Sequence, residues 1–265
     1  MCDERADTLP RVSFDVSGDA YDRFMGRYSR ELAPAFADFA RVEAGQRIVD
    51  VGCGSGVLTE ELARRVGADH VAGADPSPLL DACAERVPGA DLKRAAAEDL
   101  PWPDGSFDAA LAQLVVHFMS DPEAGIAEMA RVTRPGGVVA ACTWDFSGGM
   151  KLLGTYWESA RAIEPGAAES ETSAFDEARL DALWRGAGLD GVQVDALVVS
   201  RRYEDFDDLW DTFLLGVGPA GQHLISQPPE RQSAIRAEYV SRLGEPAGSF
   251  ELDARAWAVR GRVPG

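Results

Sequence analysis

Three glycines and two acidic residues in the first third of the chain stand at a spacing suited to holding a ligand. Gly52, Gly54 and Gly56 occupy alternate positions, and Asp50 stands two residues before the first of them. Glycine lets backbone N–H groups approach a ligand where a β-carbon would clash, and a helix N-terminus that follows favours anions and polar groups. Asp75 follows nineteen residues after Gly56, and an ionised carboxylate can accept hydrogen bonds from both hydroxyls of a ribose. The pattern predicts a nucleotide cradle.

A strand, a tight turn and a helix must position these residues. Ile48, Val49 and Val51 predict a strand before the glycines, and Leu58 and Leu62 continue after them at helical spacing. Further strands are predicted at residues 70–74, 92–95, 107–111, 138–142, 192–199 and around 250–254, with helical patterns between them. This alternation predicts an α/β fold.

Length and composition set limits on the class of protein. The chain has 265 residues, enough for one domain with an elaboration, and it contains no apolar run long enough to cross a bilayer. The first residues are charged and lack the apolar stretch of a signal peptide, which predicts a cytoplasmic protein. A formal net charge of −18 would repel a phosphate backbone, so we expect no nucleic-acid partner. The four cysteines match no metal-ligand spacing, so we predict reduced structural thiols and no metal.

The glycine spacing separates two kinds of nucleotide site. A dinucleotide fingerprint reads G-x-G-x-x-G and would need a glycine where Val57 stands. The stretch from Asp50 to Gly56, Asp-x-Gly-x-Gly-x-Gly, instead resembles motif I of the class I S-adenosylmethionine-dependent methyltransferases. The resemblance implies that Asp50 helps to hold the methionine amino group, and that the turn, including Cys53, admits the cofactor. A turn that serves packing alone is the alternative.

Two more segments carry the same resemblance. Residues 95–108, AAAEDLPWPDGSFD, resemble a signature of methyltransferases related to ubiquinone and menaquinone biosynthesis enzymes, and the Arg-Pro-Gly-Gly turn at 134–137 is typical of that family. The resemblance implies that the Ala97 backbone N–H faces the adenine, with Glu98 nearby. The family often has an acid where this chain has Ala96, so Glu98 or Asp99 is expected to substitute. Asp75 and Pro76 are expected to border the ribose.

The N-terminal segment has an unusual composition. Residues 21–28 read Tyr-Asp-x-x-x-Gly-Arg-Tyr and resemble the lid of many small-molecule methyltransferases of this class. The resemblance implies that Tyr21 and Tyr28 contact the cofactor. An amphipathic helix with exposed arginines is the alternative interpretation.

Candidate catalytic groups lie where ligands gather, at the carboxyl ends of the strands. Gln113, Leu114 and His117 follow the fourth strand and should border the pocket. With an ordinary pKa near ~6.5, His117 could take a proton from an acceptor, and Tyr21 is the second candidate. A histidine oriented by a backbone carbonyl is the alternative. Further possible groups on the strand-five side and in the later insert are Asp145 and His223.

The resemblance covers about Tyr21 to Trp144 and implies the fold and the reaction. The implied fold is a doubly wound, Rossmann-like, mostly parallel sheet of seven strands with an antiparallel last strand. The resemblance implies a lid at 18–41 and a cofactor core at 42–145. The family usually joins the last two strands by a short turn, but a longer insert stands here, and we predict that it forms a helical cap at 204–246. Helical spacing from Phe206 to Val217 and the Pro228-Pro229 pair predict two helices in that cap.

The implied reaction is transfer of the methyl group of S-adenosylmethionine to a small-molecule acceptor. A nicotinamide-dependent oxidoreductase is the first alternative, because Asp75 is expected in both classes. A protein that binds S-adenosylmethionine without methyl transfer is the second. Residues 164–211 carry thirteen acidic and four basic side chains; this predicts a solvated acidic face, with attraction of a cationic acceptor as the alternative. The sequence leaves the oligomeric state open.

Overall fold

A computed structural model describes residues 26–167 and 175–265, and Tyr21 lies outside these ranges. Seven strands form one sheet in the order β3-β2-β1-β4-β5-β7-β6. Their bounds are β1 Ile48–Val51, β2 Val71–Ala74, β3 Asp91–Lys93, β4 Phe107–Gln113, β5 Thr133–Trp144, β6 Asp190–Tyr203 and β7 Phe250–Arg262.

The pairing confirms the predicted fold class. Strands β1 to β5 pair in parallel, whereas β7 lies antiparallel between β5 and β6. β1 pairs with β2 on one side and β4 on the other, so the order of the strands reverses beside β1. A crevice for ligands forms at such a reversal, outside the carboxyl ends of the strands. The glycine turn that follows β1 lies at this point.

Helices cover both faces of the sheet. The first is α1, Gly26–Phe39; the others are α2 Val57–Val66, α3 Leu79–Arg86, α4 Pro122–Val132, α5 Lys151–Ile163, α6 Glu177–Gly186, α7 Phe206–Leu214, α8 Gly218–Ser226 and α9 Pro229–Arg242. One apolar layer joins the sheet to α1, α2, α5 and the three helices between β6 and β7. The other joins the sheet to α4 and α6. Every residue of β1 is buried, as expected for a central parallel strand.

Several predicted boundaries are corrected by tertiary pairing. β6 and β7 pair as far as Tyr203 and Phe250, beyond the apolar stretch that predicted β6, because backbone pairing continues through polar Arg201 and Arg202. The helix predicted from Phe206 to Val217 ends at Leu214, and a separate helix begins at Gly218. Gly216 between them has a φ of 67°, which ends the first helix.

Helix α3 begins at Leu79, just after the Ser77-Pro78 pair. The Ser77 hydroxyl donates to Asp75 at 2.5 Å and accepts from the Leu79 N–H at 3.3 Å, so it links the loop after β2 to the start of this helix. Across the described part of the chain, helices that are both long and apolar enough to cross a membrane are absent.

Candidate functional site

The glycine turn joins the carboxyl end of β1 to helix α2. Gly52, Gly54 and Gly56 all have positive φ, at 72°, 51° and 87°. A β-carbon on Gly52 would lie 2.5 Å from the Val115 side chain, and one on Gly56 would lie 2.8 Å from the Cys83 sulfur. At Gly54 no described atom lies within 4 Å of that position. Packing therefore accounts for two of the glycines, and only Gly54 leaves open space for a ligand.

Asp50 presents an unpaired carboxylate oxygen beneath this turn. Its side chain is buried, and Oδ2 accepts a hydrogen bond from the Thr59 hydroxyl at 2.7 Å. Oδ1 has no hydrogen-bond partner among the described residues. The pKa of Asp50 is raised to about 7, chiefly by burial; the hydrogen bonds from Thr59 oppose this rise, and the nearby Asp75 carboxylate adds to it. The site thus holds a buried acceptor that a cationic donor would satisfy.

Asp75 holds the turn in shape. Its Oδ2 accepts from the Gly54 N–H at 2.8 Å, and its Oδ1 accepts from the Ser77 N–H at 2.8 Å and from the Ser77 hydroxyl. Both oxygens are thus engaged within the protein, and the contact of Asp75 with a ribose stays a prediction. A ribose would share these oxygens or replace the bond to Gly54. Pro76, between these residues, is exposed.

Gln113 supplies a second unpaired acceptor at the same edge of the sheet. It ends β4, and its Nε2 donates to the Ser29 carbonyl of α1 at 3.1 Å. Its Oε1 is buried and has no partner in the described ranges. The next residue, Leu114, has a φ of 63°, and its N–H donates to the Cys142 carbonyl at 2.8 Å. A non-glycine residue in the left-handed region is strained, and such strain is concentrated at functional sites.

Three predicted cofactor contacts have side chains directed elsewhere. Cys53 packs with Cys83 in a small apolar cluster, so only its backbone can face the turn. Ala97 is buried in the apolar layer beneath α4. The Glu98 carboxylate accepts from the Asp121 N–H at 3.0 Å and so fixes the start of α4. One Glu98 oxygen is thus engaged by the protein, and its place near the adenine stays a prediction.

His117 lies in the turn after β4, between two phenylalanines. Its Nδ1 is 3.3 Å from the Thr143 hydroxyl, and its ring centroid lies 3.9 Å from that of Phe118 and 5.9 Å from that of Phe146. Burial lowers the pKa of His117 to about 4. The expectation of an ordinary histidine pKa is therefore wrong, and the imidazole is neutral at physiological pH.

Two other predicted site residues, Tyr28 and Asp145, are held within the fold. The Tyr28 side chain is completely buried, and its hydroxyl contacts the Leu252 carbonyl at 3.4 Å and the Tyr203 hydroxyl at 3.2 Å. Asp145 accepts hydrogen bonds from Ser147 and Arg255. Burial raises the pKa of Asp145, but the Ser147 and Arg255 contacts outweigh burial and lower it. Tyr28 and Asp145 therefore support the structure, while Tyr21 cannot be placed because it lies outside the described residues.

Known proteins resemble the part of the chain that carries this site. The methyltransferase domain family model matches residues 49–141. The malonyl-[acyl-carrier protein] O-methyltransferase of Serratia marcescens is 30% identical over 154 residues, which are 56% of this chain and 59% of that protein. An uncharacterized methyltransferase of Mycobacterium bovis is 39% identical over 127 residues, 48% of this chain and 49% of that protein.

The chain thus matches only about half the length of these curated relatives. A solved structure assigned as a type II methyltransferase of Anaeromyxobacter dehalogenans resembles a larger share of the fold. It has a TM-score of 0.63 and 22% identity, and covers 88% of this chain and 96% of its own. At this identity the likeness shows the fold alone.

Two unpaired acceptor groups lie along one edge of the sheet. Asp50 and Gln113 lie in paired strands, because Asp50 stands opposite Leu111, two residues before Gln113, in the register of β1 and β4. The ammonium-bearing end of S-adenosylmethionine offers hydrogen-bond donors, and the unpaired oxygens of Asp50 and Gln113 fit these donors. The open space at the Gly54 Cα fits the close approach of this ligand to the backbone. Sequence reasoning missed Thr59 and Val115, which support this edge. The helical spacing that predicted α2 could have indicated Thr59, whereas the contact with Val115 is tertiary.

Proposed function

We propose that this protein transfers the methyl group of S-adenosylmethionine to a small-molecule acceptor. The observation that carries the proposal is the unpaired Oδ1 of Asp50, buried beneath a turn whose only open glycine face is that of Gly54. A buried carboxylate without a partner is unfavourable unless a ligand satisfies it. The family match over residues 49–141 supports the same conclusion.

The residues at the crevice suggest how the cofactor would be held. Asp50 and Gln113 would accept hydrogen bonds from its ammonium group. Gly54, which has no side chain, would let the cofactor lie close to the backbone, and Asp75 would contact the ribose. The Ala97 backbone would border the adenine. S-adenosylmethionine supplies an already activated methyl group, so the protein has mainly to align the acceptor and exclude water.

His117 is the proposed orienting group for the acceptor. Because burial lowers its pKa to about 4, the neutral ring offers one donor and one acceptor rather than a strong base. The Thr143 hydroxyl fixes the Nδ1 side of the ring at 3.3 Å. The other ring nitrogen is then the one that could contact the acceptor's nucleophilic group.

The three helices between β6 and β7 are the proposed cap over the acceptor site. They share one apolar layer with Leu114 and Trp144 at the edge of the sheet. Acidic residues in the 164–211 stretch serve local structure, because Asp176 and Asp205 cap helices and Asp181 pairs with Arg185. This supports the solvated-face interpretation over selection of a cationic substrate.

Composition supports the remaining assignments. A net charge of −18 argues for a small molecule rather than nucleic acid as the partner. The free, buried thiols of Cys53, Cys83 and Cys142 support a reducing, cytoplasmic location.

Calorimetric titration with S-adenosylhomocysteine and with NADH tests the cofactor class. We expect binding of the first compound only, and binding of NADH alone would refute the proposal. Transfer of a radiolabelled methyl group to a panel of phenols, amines and carboxylic acids then tests turnover. Tight binding of S-adenosylhomocysteine with no transfer to any compound would favour the alternative of a binding protein.

A further inference from the structure

Strand β6 forms one edge of the sheet and presents an unpaired backbone edge. It comes last in the order of the seven strands, and within the described part of the chain it pairs with β7 alone. It runs for 14 residues and contains neither proline nor lysine. Open edges are usually protected by short length, proline, lysine or bulges. The one register shift in β6 lies before Gln193, so the rest of this edge is regular and can accept another strand.

The backbone of Val198 points away from β7. Val198 stands opposite Arg255 in the register of β6 and β7. The Arg255 N–H donates to the Gly149 carbonyl at 2.9 Å, and the Arg255 carbonyl accepts from the Asp145 N–H at 2.9 Å. Both backbone groups of Arg255 are therefore used on the side away from β6. Opposed residues of an antiparallel pair either bond to each other or both face away, so the N–H and C=O of Val198 lie along the open edge.

A hydrogen bond at Ala196 agrees with this orientation. The Ala196 N–H donates to the side-chain carboxylate of Asp195 at 2.8 Å. Alternate residues of a strand point the same way, so the outward backbone groups of the regular part of β6 belong to its even-numbered residues. The Val198 side chain is 60% exposed, which leaves an apolar group in the open near the middle of this edge.

The charges of β6 balance, unlike those of the whole chain. Residues 190–203 carry two acidic side chains in the first half and two arginines near the end, whereas the chain has a net charge of −18. Two copies of the chain repel each other in general, but antiparallel copies of β6 place acid against base. Arg201 has donors left for such a contact, since its Nη1 lies 4.0 Å from Glu31 and its Nε has no hydrogen-bond partner among the described residues.

A single register of such a pairing sets Asp195 opposite an arginine. Outward-facing residues must pair with each other, so an even-numbered residue pairs with an even-numbered one. With the two-fold axis at Val198, Asp195 of one copy stands opposite Arg201 of the other, and symmetry repeats the pair. With the axis one residue away, Asp195 stands opposite Val199 or Tyr203 instead. Opposite charges that face each other across two strands stabilise the pairing, so charge selects the register centred on Val198.

We propose that two copies of this chain associate through their β6 edges, antiparallel about a two-fold axis at Val198. The interface is isologous, and the two sheets become one continuous sheet. Each Ala196 N–H exchanges the carboxylate of Asp195 for the Ser200 carbonyl of the other copy, and Asp195 then pairs with Arg201. The two exposed Val198 side chains meet at the axis. This association does not depend on the proposed function.

Sedimentation velocity of the full chain at increasing concentration tests the proposal. We expect a monomer–dimer equilibrium that favours the dimer at about 100 μM. Val198→Pro should abolish the dimer, because proline removes an N–H that the pairing needs. The fold should tolerate this change, since that N–H points away from β7. Val198→Thr keeps the N–H and a β-branched side chain, and it should keep the dimer.

A charge exchange tests the register. Asp195→Arg alone and Arg201→Asp alone should each weaken the dimer about ten-fold or more, because two attractive pairs become two repulsive ones. The two substitutions together should restore it. Arg202→Asp changes the net charge as much as Arg201→Asp does, but in this register it faces Val194 of the other copy. The dimer should therefore survive Arg202→Asp.

Three results would overturn the proposal. They are a monomer at every concentration, a dimer that persists in Val198→Pro, and a double exchange that fails to restore association lost in the single variants. Equal weakening by Arg202→Asp and Arg201→Asp would also overturn it, since net charge alone would then explain the effect. Circular dichroism checks that each variant is folded. The charge exchange decides the question even if Val198→Pro does not fold.

Discussion

Replacing Asp50 with asparagine is expected to stabilise the ligand-free protein and to weaken its binding of S-adenosylhomocysteine. The carboxyl group is buried, and its pKa is about 7 compared with 3.8 for an exposed aspartate. The folded state therefore holds the proton more tightly than the unfolded chain. The stability from this group is fully present below pH ~4 and is lost as the pH rises to ~7.

The size of the effect follows from the difference in pKa. At 1.36 kcal/mol per pKa unit, the cost of ionising Asp50 in the fold is about 4 kcal/mol above pH 7. Asp50→Asn removes that ionisation and keeps a side chain able to bond Thr59. We expect the free energy of unfolding to rise at pH 8 by up to about 4 kcal/mol, with little change at pH 4.

Cofactor affinity should move in the opposite direction. A hydrogen bond to a charged group is worth about 1.5–3 kcal/mol, so its loss should weaken binding by about 10- to 150-fold. In the wild type, affinity should increase with pH until Asp50 is ionised, near its pKa of about 7. In Asp50→Asn this increase should disappear.

Urea unfolding and calorimetric titration at several pH values between 4 and 8 measure both effects. Asp108→Asn is the matched control, because Asp108 accepts from the Arg47 N–H and from Arg134 at the opposite end of the sheet. Burial raises the pKa of Asp108, but those partners outweigh burial and lower it. The control should lose stability and keep its affinity. A loss of stability in Asp50→Asn at pH 8, or unaltered affinity, would refute the reasoning.

Three further predictions concern the turn and the histidine. Gly54→Ala should cost about 1–2 kcal/mol of stability because of the positive φ at this position, and it should weaken S-adenosylhomocysteine binding at least ten-fold. Gly56→Ala should mainly lower the stability of the fold, since the new methyl group would clash with Cys83. A binding loss in Gly54→Ala no greater than in Gly56→Ala, per folded molecule, would contradict the open face. Asp75→Ala should abolish measurable binding in calorimetry and lower stability by about 1–3 kcal/mol, because the half-buried Gly54 N–H loses its acceptor. Unaltered affinity would exclude the ribose assignment. His117→Ala should slow methyl transfer and spare cofactor affinity, and the wild-type rate should show no histidine titration between pH 6 and 8; an unchanged rate would remove His117 from the mechanism.

The sequence was a good guide where a role depends on local geometry. Alternating glycines after a β-branched run predicted a strand, turn and helix, and all three formed at the predicted place. The Asp121-Pro122 pair caps α4 through a bond from Ala124 N–H, as such a pair does. Positive φ and capping are properties of a few neighbouring residues, so the sequence contains their cause.

The sequence was a poor guide where partners come from distant parts of the chain. It predicted Tyr28 as a cofactor contact, but Tyr203, 175 positions away, contacts its hydroxyl in the core. It predicted an ordinary pKa for His117, but burial lowers that pKa to about 4. Desolvation depends on everything packed around a group, which no local pattern records.

The amino-acid sequence by itself determined the α/β architecture, the position of the glycine turn and the acid beneath it, because these follow from backbone preferences and strand periodicity. The tertiary structure alone decided which oxygens are unpaired. Val115 packs against Gly52 and Cys83 packs against Gly56, whereas the space beside Gly54 stays open. Burial leaves Asp50, Gln113 and Trp157 each with one polar atom that has no hydrogen-bond partner among the described residues. Hydrogen-bond satisfaction is a sum over neighbours brought together by folding, so it can be read only from the folded chain.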